Sequence, residues 1–278
     1  MIKFLYSDKF NEKEYELLRT EAEIKVGIYI KKFFEKYMDI DIIVKFADDE
    51  EFEKLKKSGI SCYAYCNSKE KKITINFNEM IAYISLSGDK NWRVLIPEIN
   101  EKYAMLFNAI HHEVQHIINR IEHEKTFEYI NSINTFNYTK LMISKCIDEY
   151  IAWYSAQKEN YIETNYLYER LDELCNKRQD VIMKNNQFEK FKLVENIIYA
   201  LAAGAAEEKV QEENNFEYKS KDYLDTKSIR LFYINFINIK NALRAYNKEN
   251  YKKCVDNCEV EISSIIKVLG LNEEYLKI

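Results

Sequence analysis

Along most of this chain, apolar residues recur at spacings of three and four, which is the pattern of helices that bury one face. The first such stretch covers residues 12–38, and a shorter one covers 49–57. A long helix is predicted to begin at Pro97, because proline is favoured in the first turn of a helix. Another covers 139–158. The helical pattern then continues to the end of the chain in four segments, near 161–184, 187–214, 222–247 and 249–268.

Shorter runs, either rich in β-branched residues or alternating between apolar and polar, predict a small sheet in the N-terminal third. Three strands are predicted, at 41–46, 61–66 and 72–78. The polar residues 67–71 are typical of a hairpin loop between the last two strands. Residues 81–87 are also β-prone. Residues 124–138 are rich in Asn, Ser and Thr and are predicted to connect two helices.

The composition agrees with a fold of long helices. Only 5 Gly and 1 Pro occur among 278 residues, so few positions interrupt a helix or form a tight turn. The fold class expected is therefore α+β and predominantly helical. We predict that residues 1–160 combine a small sheet with a histidine-bearing helix, and that residues 161–278 form an all-helical part of unknown role.

Charge and hydropathy argue against two classes of protein. The formal net charge is −5 with both signs interspersed, so no basic patch for nucleic acid is expected. There is no apolar run of about eighteen residues that could cross a membrane. Residues 1–10 lack the apolar core of a signal peptide, and the 6 cysteines are dispersed. These features predict a cytoplasmic protein with reduced thiols; the oligomeric state is left open.

The most informative motif is His112-Glu113-Val114-Gln115-His116, an H-E-x-x-H pattern. Residues four apart on a helix lie on the same face, so the two imidazoles can bind one metal ion. The glutamate between them lies close to that ion and can polarise a water molecule bound to it. The motif therefore predicts a zinc site with His112 and His116 as ligands and Glu113 as the catalytic residue.

A catalytic zinc site uses three protein ligands and leaves a position for water. His123 lies about 10 Å along the helix from His116, so it reaches the same ion only if the helix breaks, for example at Asn119. Glu149, which follows Asp148 in an apolar stretch of the next predicted helix, is the better candidate. A cation would offset the cost of burying such carboxylates. The alternative is that both carboxylates face solvent.

This arrangement resembles that of the gluzincin metallopeptidases, in which an H-E-x-x-H helix is followed by a glutamate on a later helix. The stretch from Glu149 to Ala156 is similar to the E-x-x-A-x-x-x-A segment of ImmA/IrrE-type peptidases. It departs from that family at Trp153 and Ser155, where the family has Asn and Phe, and no Leu-Met-Pro follows. The resemblance covers roughly residues 41–157 and implies that Glu149 is the third zinc ligand.

The same resemblance gives the sheet a role. Ile73, Thr74, Ile75 and Asn76 occupy the place of the edge strand that binds extended substrate in zincins by adding it to the sheet. A protein or peptide is therefore the expected substrate, and no nucleic-acid or membrane partner is expected.

Together these features predict a zinc-dependent peptidase in which Glu113 is the general base for a metal-activated water. A tyrosine is the expected stabiliser of the oxyanion, but the sequence does not choose among Tyr138, Tyr150 and Tyr154. Asp148 is expected either to accept a hydrogen bond from a ligating imidazole or to face solvent.

Two other classes of protein share some of these features. One is a non-catalytic metal-binding or regulatory protein whose helical C-terminal part docks a partner. The other is a carboxylate-bridged di-iron protein, since Glu113 and His116 also form an E-x-x-H pair. That site needs a second such pair, and the sequence contains none. The peptidase is therefore the preferred interpretation.

Overall fold

The chain divides into two compact units, Met1–Ile121 and Glu122–Ile278. The computed structural model describes residues 1–37, 39–55, 63–87, 97–159, 161, 186–214 and 232–271. The first unit contains a four-stranded sheet, and the elements described in the second are helices. The fold is therefore α+β and predominantly helical, as the sequence predicts. The division into residues 1–160 and 161–278 was drawn from sequence patterns, whereas the two units are defined by their compactness. That division therefore stays a prediction.

Four short strands build the sheet: β1 Ile2–Tyr6, β2 Ile42–Ala47, β3 Ala64–Asn67 and β4 Lys72–Asn76. Their order across the sheet is β1-β2-β4-β3. Strands β1 and β4 both run parallel to β2, while β3 is antiparallel to β4. The three predicted strands and the hairpin between the last two are confirmed, except that residues 61 and 62 of the predicted strand 61–66 lie outside the described residues. Strand β1 was missed, although its inward and outward residues alternate along all five positions.

Strand β4 is internal to the sheet. It pairs with β2 along one side and with β3 along the other, so its backbone groups are hydrogen-bonded on both sides. The predicted role of Ile73, Thr74, Ile75 and Asn76 as a substrate-binding edge strand is therefore wrong. The hairpin places β3 outside β4, and among the described strands β3 and β1 are the two edges.

The first unit contains helices α1 Glu16–Phe34, α2 Asp49–Leu55 and α3 Phe77–Ser87, together with α4 Pro97–Glu122 except for its last residue. Short 3-10 turns precede and follow α1, at Asp8–Asn11, Lys13–Tyr15 and Glu35–Tyr37. Helices α1, α2 and α4 confirm the predictions made from apolar periodicity and from Pro97.

Helix α3 contradicts the β-prone interpretation of residues 81–87. Its first turn is capped by Asn76, whose Oδ1 accepts hydrogen bonds from the backbone N–H groups of Asn78 at 3.0 Å and Glu79 at 3.3 Å. Met80 is fully buried on the inner face of the helix. The cap and the packing outweigh the β propensity of the apolar residues that follow, so that prediction is wrong.

The core of the first unit is formed by the sheet, α1 and α4. The buried apolar residues include Ala22, Val26, Ile30 and Phe34 of α1, Val44, Phe46, Ile73 and Ile75 of the sheet, and Leu106, Ile110, Val114 and Ile118 of α4. Because α4 buries this apolar stripe, its orientation about its own axis is fixed by packing. The direction in which its histidines point is thereby fixed as well.

The second unit contains α5 Glu124–Ser132, α6 Asn137–Glu159, α7 Gln187–Glu213, α8 Tyr233–Arg244 and α9 Tyr251–Val268. Helices α6 to α9 confirm predicted segments, whereas the predicted segment 161–184 and residues 222–231 lie outside the described residues, except for Tyr161. Helix α5 shows that the predicted connection over 124–138 is wrong, because Thr126, Phe127 and Ile130 bury one helical face. None of the described helices is both long and apolar enough to cross a membrane.

Two polar features lie within the helical unit. The Lys240 ammonium of α8 is buried against the carboxylate of Glu208 on α7, and Arg244 donates to the same carboxylate at 3.4 Å. Three thiols, those of Cys146, Cys254 and Cys258, are buried on α6 and α9. Hydrogen bonding among these thiols and burial raise the pKa of Cys254 and of Cys258. Both features therefore help to join neighbouring helices.

Candidate metal centre

His112 and His116 lie one turn apart in the C-terminal half of α4, which is continuous from Pro97 to Glu122. Both side chains are buried, and their Nε2 atoms are 3.0 Å apart. The rings are nearly perpendicular, at 87°, with centroids 4.6 Å apart. Val114 lies on the opposite side of the helix, in the core, so packing of α4 directs the two imidazoles to a common point.

Glu149 of α6 supplies a third candidate ligand. His112, His116 and Glu149 each offer one ligand atom, and these atoms all lie within 4.8 Å of one another. Tetrahedral ligand atoms around Zn²⁺ are about 3.3 Å apart, given zinc–nitrogen distances of about 2.0 Å. The two nitrogens, 3.0 Å apart, are near that separation, and the carboxylate oxygen lies within 4.8 Å of both. The residues present therefore fit a tetrahedral divalent cation. Asp148, the neighbouring carboxylate, is buried.

Glu113 follows His112 directly and is half-buried. Its side chain leaves the helix about 100° around the axis from that of His112. Within the described residues it is not a member of the three-ligand group. Glu113 is therefore adjacent to the histidine pair in the helix and outside the ligand set.

His111 belongs to the core of the first unit rather than to the ligand group. Its Nδ1 lies 3.3 Å from the hydroxyl group of Tyr29, and the rings of Phe33 and Phe34 contact it with centroids 5.6 and 4.8 Å away. Burial, with a smaller contribution from His112, lowers the pKa of His111 to about 4. It therefore packs α4 on α1 as a neutral ring. No sequence pattern indicates the contact with Tyr29, which lies on a helix distant in the chain.

His123 is also placed apart from the ligand group. Helix α4 does not break at Asn119 but continues to Glu122, and His123 precedes α5 as a buried residue. Its Nδ1 is hydrogen-bonded to the hydroxyl group of Tyr246, which also contacts Thr126 at 3.0 Å. The alternative in which a helix break brings His123 to the metal is therefore not supported, and His123 helps to pack the second unit.

The three tyrosines considered as oxyanion stabilisers have other contacts in the second unit. The Tyr138 hydroxyl donates to the carbonyl oxygen of Phe191 at 3.1 Å. The Tyr154 hydroxyl donates to the carboxylate of Glu213 at 2.8 Å, and Tyr150 stacks on Tyr154 with an angle of 14° between the rings. These contacts give Tyr138 and Tyr154 a role in packing α6 on α7. The oxyanion stabiliser stays an open choice.

Comparison with known proteins identifies no relative. The sequence matches no family model and no curated protein, and the structure matches no solved structure. The chemistry of this site is therefore inferred from its residues and their geometry.

Proposed function

We propose that this protein is a zinc-dependent peptidase, with His112, His116 and Glu149 as metal ligands and Glu113 as general base. The observation that supports the proposal most directly is the buried histidine pair, whose Nε2 atoms are 3.0 Å apart with a carboxylate oxygen within reach. Two nitrogens and one oxygen leave one position of a tetrahedral ion for water, as in catalytic rather than structural zinc sites.

A zinc ion held there would act as a Lewis acid that lowers the pKa of a water molecule toward neutrality and polarises the scissile carbonyl. Glu113 accepts a proton from the attacking water and delivers it to the leaving amine. Three ligand side chains together carry one formal negative charge, so the site keeps a net positive charge that favours a developing oxyanion.

For the substrate we propose a protein or peptide in extended conformation. Because β4 is internal, we assign to the edge strand β3 the role of the strand to which an extended substrate segment would pair. Tyr65 of β3 is exposed, and the strand ends the sheet among the described residues. We also propose a reducing compartment such as the cytoplasm, because Cys66, Cys146 and the two cysteines of α9 are free thiols.

The test compares the wild-type protein with Glu113→Gln and His116→Ala. Metal content is measured by plasma mass spectrometry after dialysis against zinc, and hydrolysis by release of new amines from a mixture of proteins and peptides. We expect bound zinc and hydrolysis in the wild type, zinc without hydrolysis in Glu113→Gln, and neither in His116→Ala.

Two outcomes contradict the proposal. If Glu113→Gln hydrolyses substrate as well as the wild type does, Glu113 is not the general base. If the wild type binds zinc through His116 yet cleaves no substrate in the mixture, the non-catalytic metal-binding alternative is favoured.

A further inference from the structure

Helix α1 is apolar on two opposite faces. One face is buried in the core of the first unit through Ala22, Val26, Ile30 and Phe34. The other carries Leu17, Ile24 and Ile28, whose side chains are 81%, 50% and 62% exposed. An amphipathic surface helix normally has polar residues on its outer face, and the residues that the structure describes in this unit leave these three side chains exposed.

The three exposed residues lie in one line. At about 100° per residue, Leu17, Ile24 and Ile28 fall within about 40° of one another around the helix axis. They extend over about 17 Å, at 1.5 Å per residue. Single exposed apolar residues are ordinary on protein surfaces, but here Ile24 and Ile28 are neighbours one turn apart, and Leu17 extends the same line toward the start of the helix.

The charges that flank this stripe change sign along the helix. On one side the exposed Glu21 precedes the exposed Lys32, and on the other side Thr20 precedes Lys31. The acidic residue therefore lies toward the N-terminal end of the patch, and the basic residues toward its C-terminal end. A second copy of the same helix complements this pattern only if it runs in the opposite direction.

An antiparallel pair about a twofold axis gives a specific register. With the axis near residue 26, Ile24 of one copy lies opposite Ile28 of the other, and Glu21 lies on the same side as Lys32 of the other copy. A parallel pair exchanges the two flanks, so it would instead bring Lys32 of each copy against Lys31 of the other, which is unfavourable, and leave Glu21 opposite Thr20. The charge pattern therefore selects the antiparallel arrangement.

We propose that this protein self-associates through the outer face of α1 as an antiparallel, twofold-symmetric dimer. The helix has 19 residues and is about 28 Å long. One helical face of that length buries less than the roughly 800 Å² per partner of a standard interface, so the dimer is expected to be weak, in the micromolar range.

This interface is independent of the proposed enzymatic function. The inner side of α1 carries Tyr29, Phe33 and Phe34, which contact His111 of the histidine helix, whereas the stripe points away from it. Substitutions in the stripe are therefore expected to leave metal binding unchanged.

The first test removes the apolar stripe. The mass of the full chain is measured by sedimentation velocity over a concentration range that spans the micromolar region. We expect the wild type to shift from monomer to dimer, and the double variant I24E/I28E to remain monomeric. Val260→Glu, on α9, is the matched control, because it places the same charge on an apolar residue that is 66% exposed elsewhere. It should dimerise like the wild type.

The second test exchanges the charges. Glu21→Lys and Lys32→Glu should each weaken dimerisation by about tenfold or more, since each creates two like-charged pairs across the axis. The combined variant E21K/K32E restores opposite charges and should recover the wild-type dissociation constant. Circular dichroism and zinc content verify that each variant is folded.

The proposal is overturned if the wild type stays monomeric throughout the concentration range, or if I24E/I28E dimerises normally. Failure of E21K/K32E to recover, with both single variants weakened, rules out the antiparallel register.

Discussion

The hydroxyl group of Tyr246 lies 2.7 Å from Nδ1 of His123. Burial, followed by the positive charge of Lys248, lowers the pKa of His123 to about 4, although the carboxylates of Glu122 and Asp148 act in the opposite direction. The ring is therefore neutral at pH 7, and a neutral imidazole offers one ring nitrogen as a hydrogen-bond acceptor. Burial raises the pKa of Tyr246 to about 12, so its hydroxyl group also stays protonated at pH 7.

This pair predicts a loss of stability in acid. His123 takes up a proton near pH 6.5 when unfolded but only near pH 4 when folded, so its contribution is complete above pH 6.5 and is lost as the pH falls toward 4. The free energy of unfolding should fall by up to about 3 kcal/mol over this window through His123. Urea titrations at several pH values measure it.

The variant His123→Gln keeps a polar partner for Tyr246 but does not titrate. Its free energy of unfolding should therefore fall less than that of the wild type between pH 6.5 and pH 4. An equal fall in the variant and the wild type would show that His123 does not cause it.

The third-ligand assignment predicts a difference between two adjacent carboxylates. Glu149→Ala should lower the affinity for Zn²⁺ by more than about 100-fold, because loss of a ligand costs more than the 10–100-fold typical of residues that only orient one. Asp148→Ala should cost less. Affinities are measured by competition with a chromophoric chelator. If the order is reversed, Asp148 is the ligand and Glu149 is not.

The Lys240–Glu208 pair predicts a large effect in the helical unit. Lys240→Met removes the buried ammonium from the buried carboxylate of Glu208, which should cost about 3 kcal/mol of stability. Lys145→Met is the matched control, because Lys145 forms a partly exposed pair with Glu195 between α6 and α7. It should cost less than about 1 kcal/mol. Similar losses in both variants, measured by urea denaturation, would contradict the importance of burial.

The cap of α3 predicts a third stability difference. The side-chain amide groups of Asn76 and Asn78 both donate to the carboxylate of Asp49, at 2.8 and 2.6 Å, but only Asn76 also accepts from backbone N–H groups. Asn76→Ala should therefore lower the free energy of unfolding by about 1 kcal/mol more than Asn78→Ala. Thermal denaturation of the two variants tests this, and equal losses would assign the effect to Asp49 alone.

The long helices, in which apolar residues recur at helical spacing over several turns, could be predicted from the sequence. Helices α1, α4 and α6 each carry apolar residues at helical spacing for more than four turns, so the period is unambiguous. Shorter elements were harder. Residues 81–87 include Ile81, Tyr83 and Ile84, which favour strands, yet they follow a helix cap at Asn76, and that cap is the signal that identifies a helix.

The histidine pair was predictable because its geometry is local: residues 112 and 116 are one turn apart on any helix. Contacts between distant segments were not predictable. Neither the Tyr29–His111 contact nor the Tyr246–His123 contact has a sequence pattern, because each partner comes from a helix or loop that only folding brings near. The order of the strands is another long-range property, which is why β4 was mistaken for an edge.

The thiols of Cys146, Cys254 and Cys258 have a practical consequence. They are buried on two different helices of the second unit, and a raised pKa at Cys254 and Cys258 suppresses the reactive thiolate. An alkylating reagent can reach them only while α6 and α9 separate. The rate at which these sulfur atoms are alkylated therefore measures how often that interior opens. The three cysteines are thus a built-in probe of local unfolding.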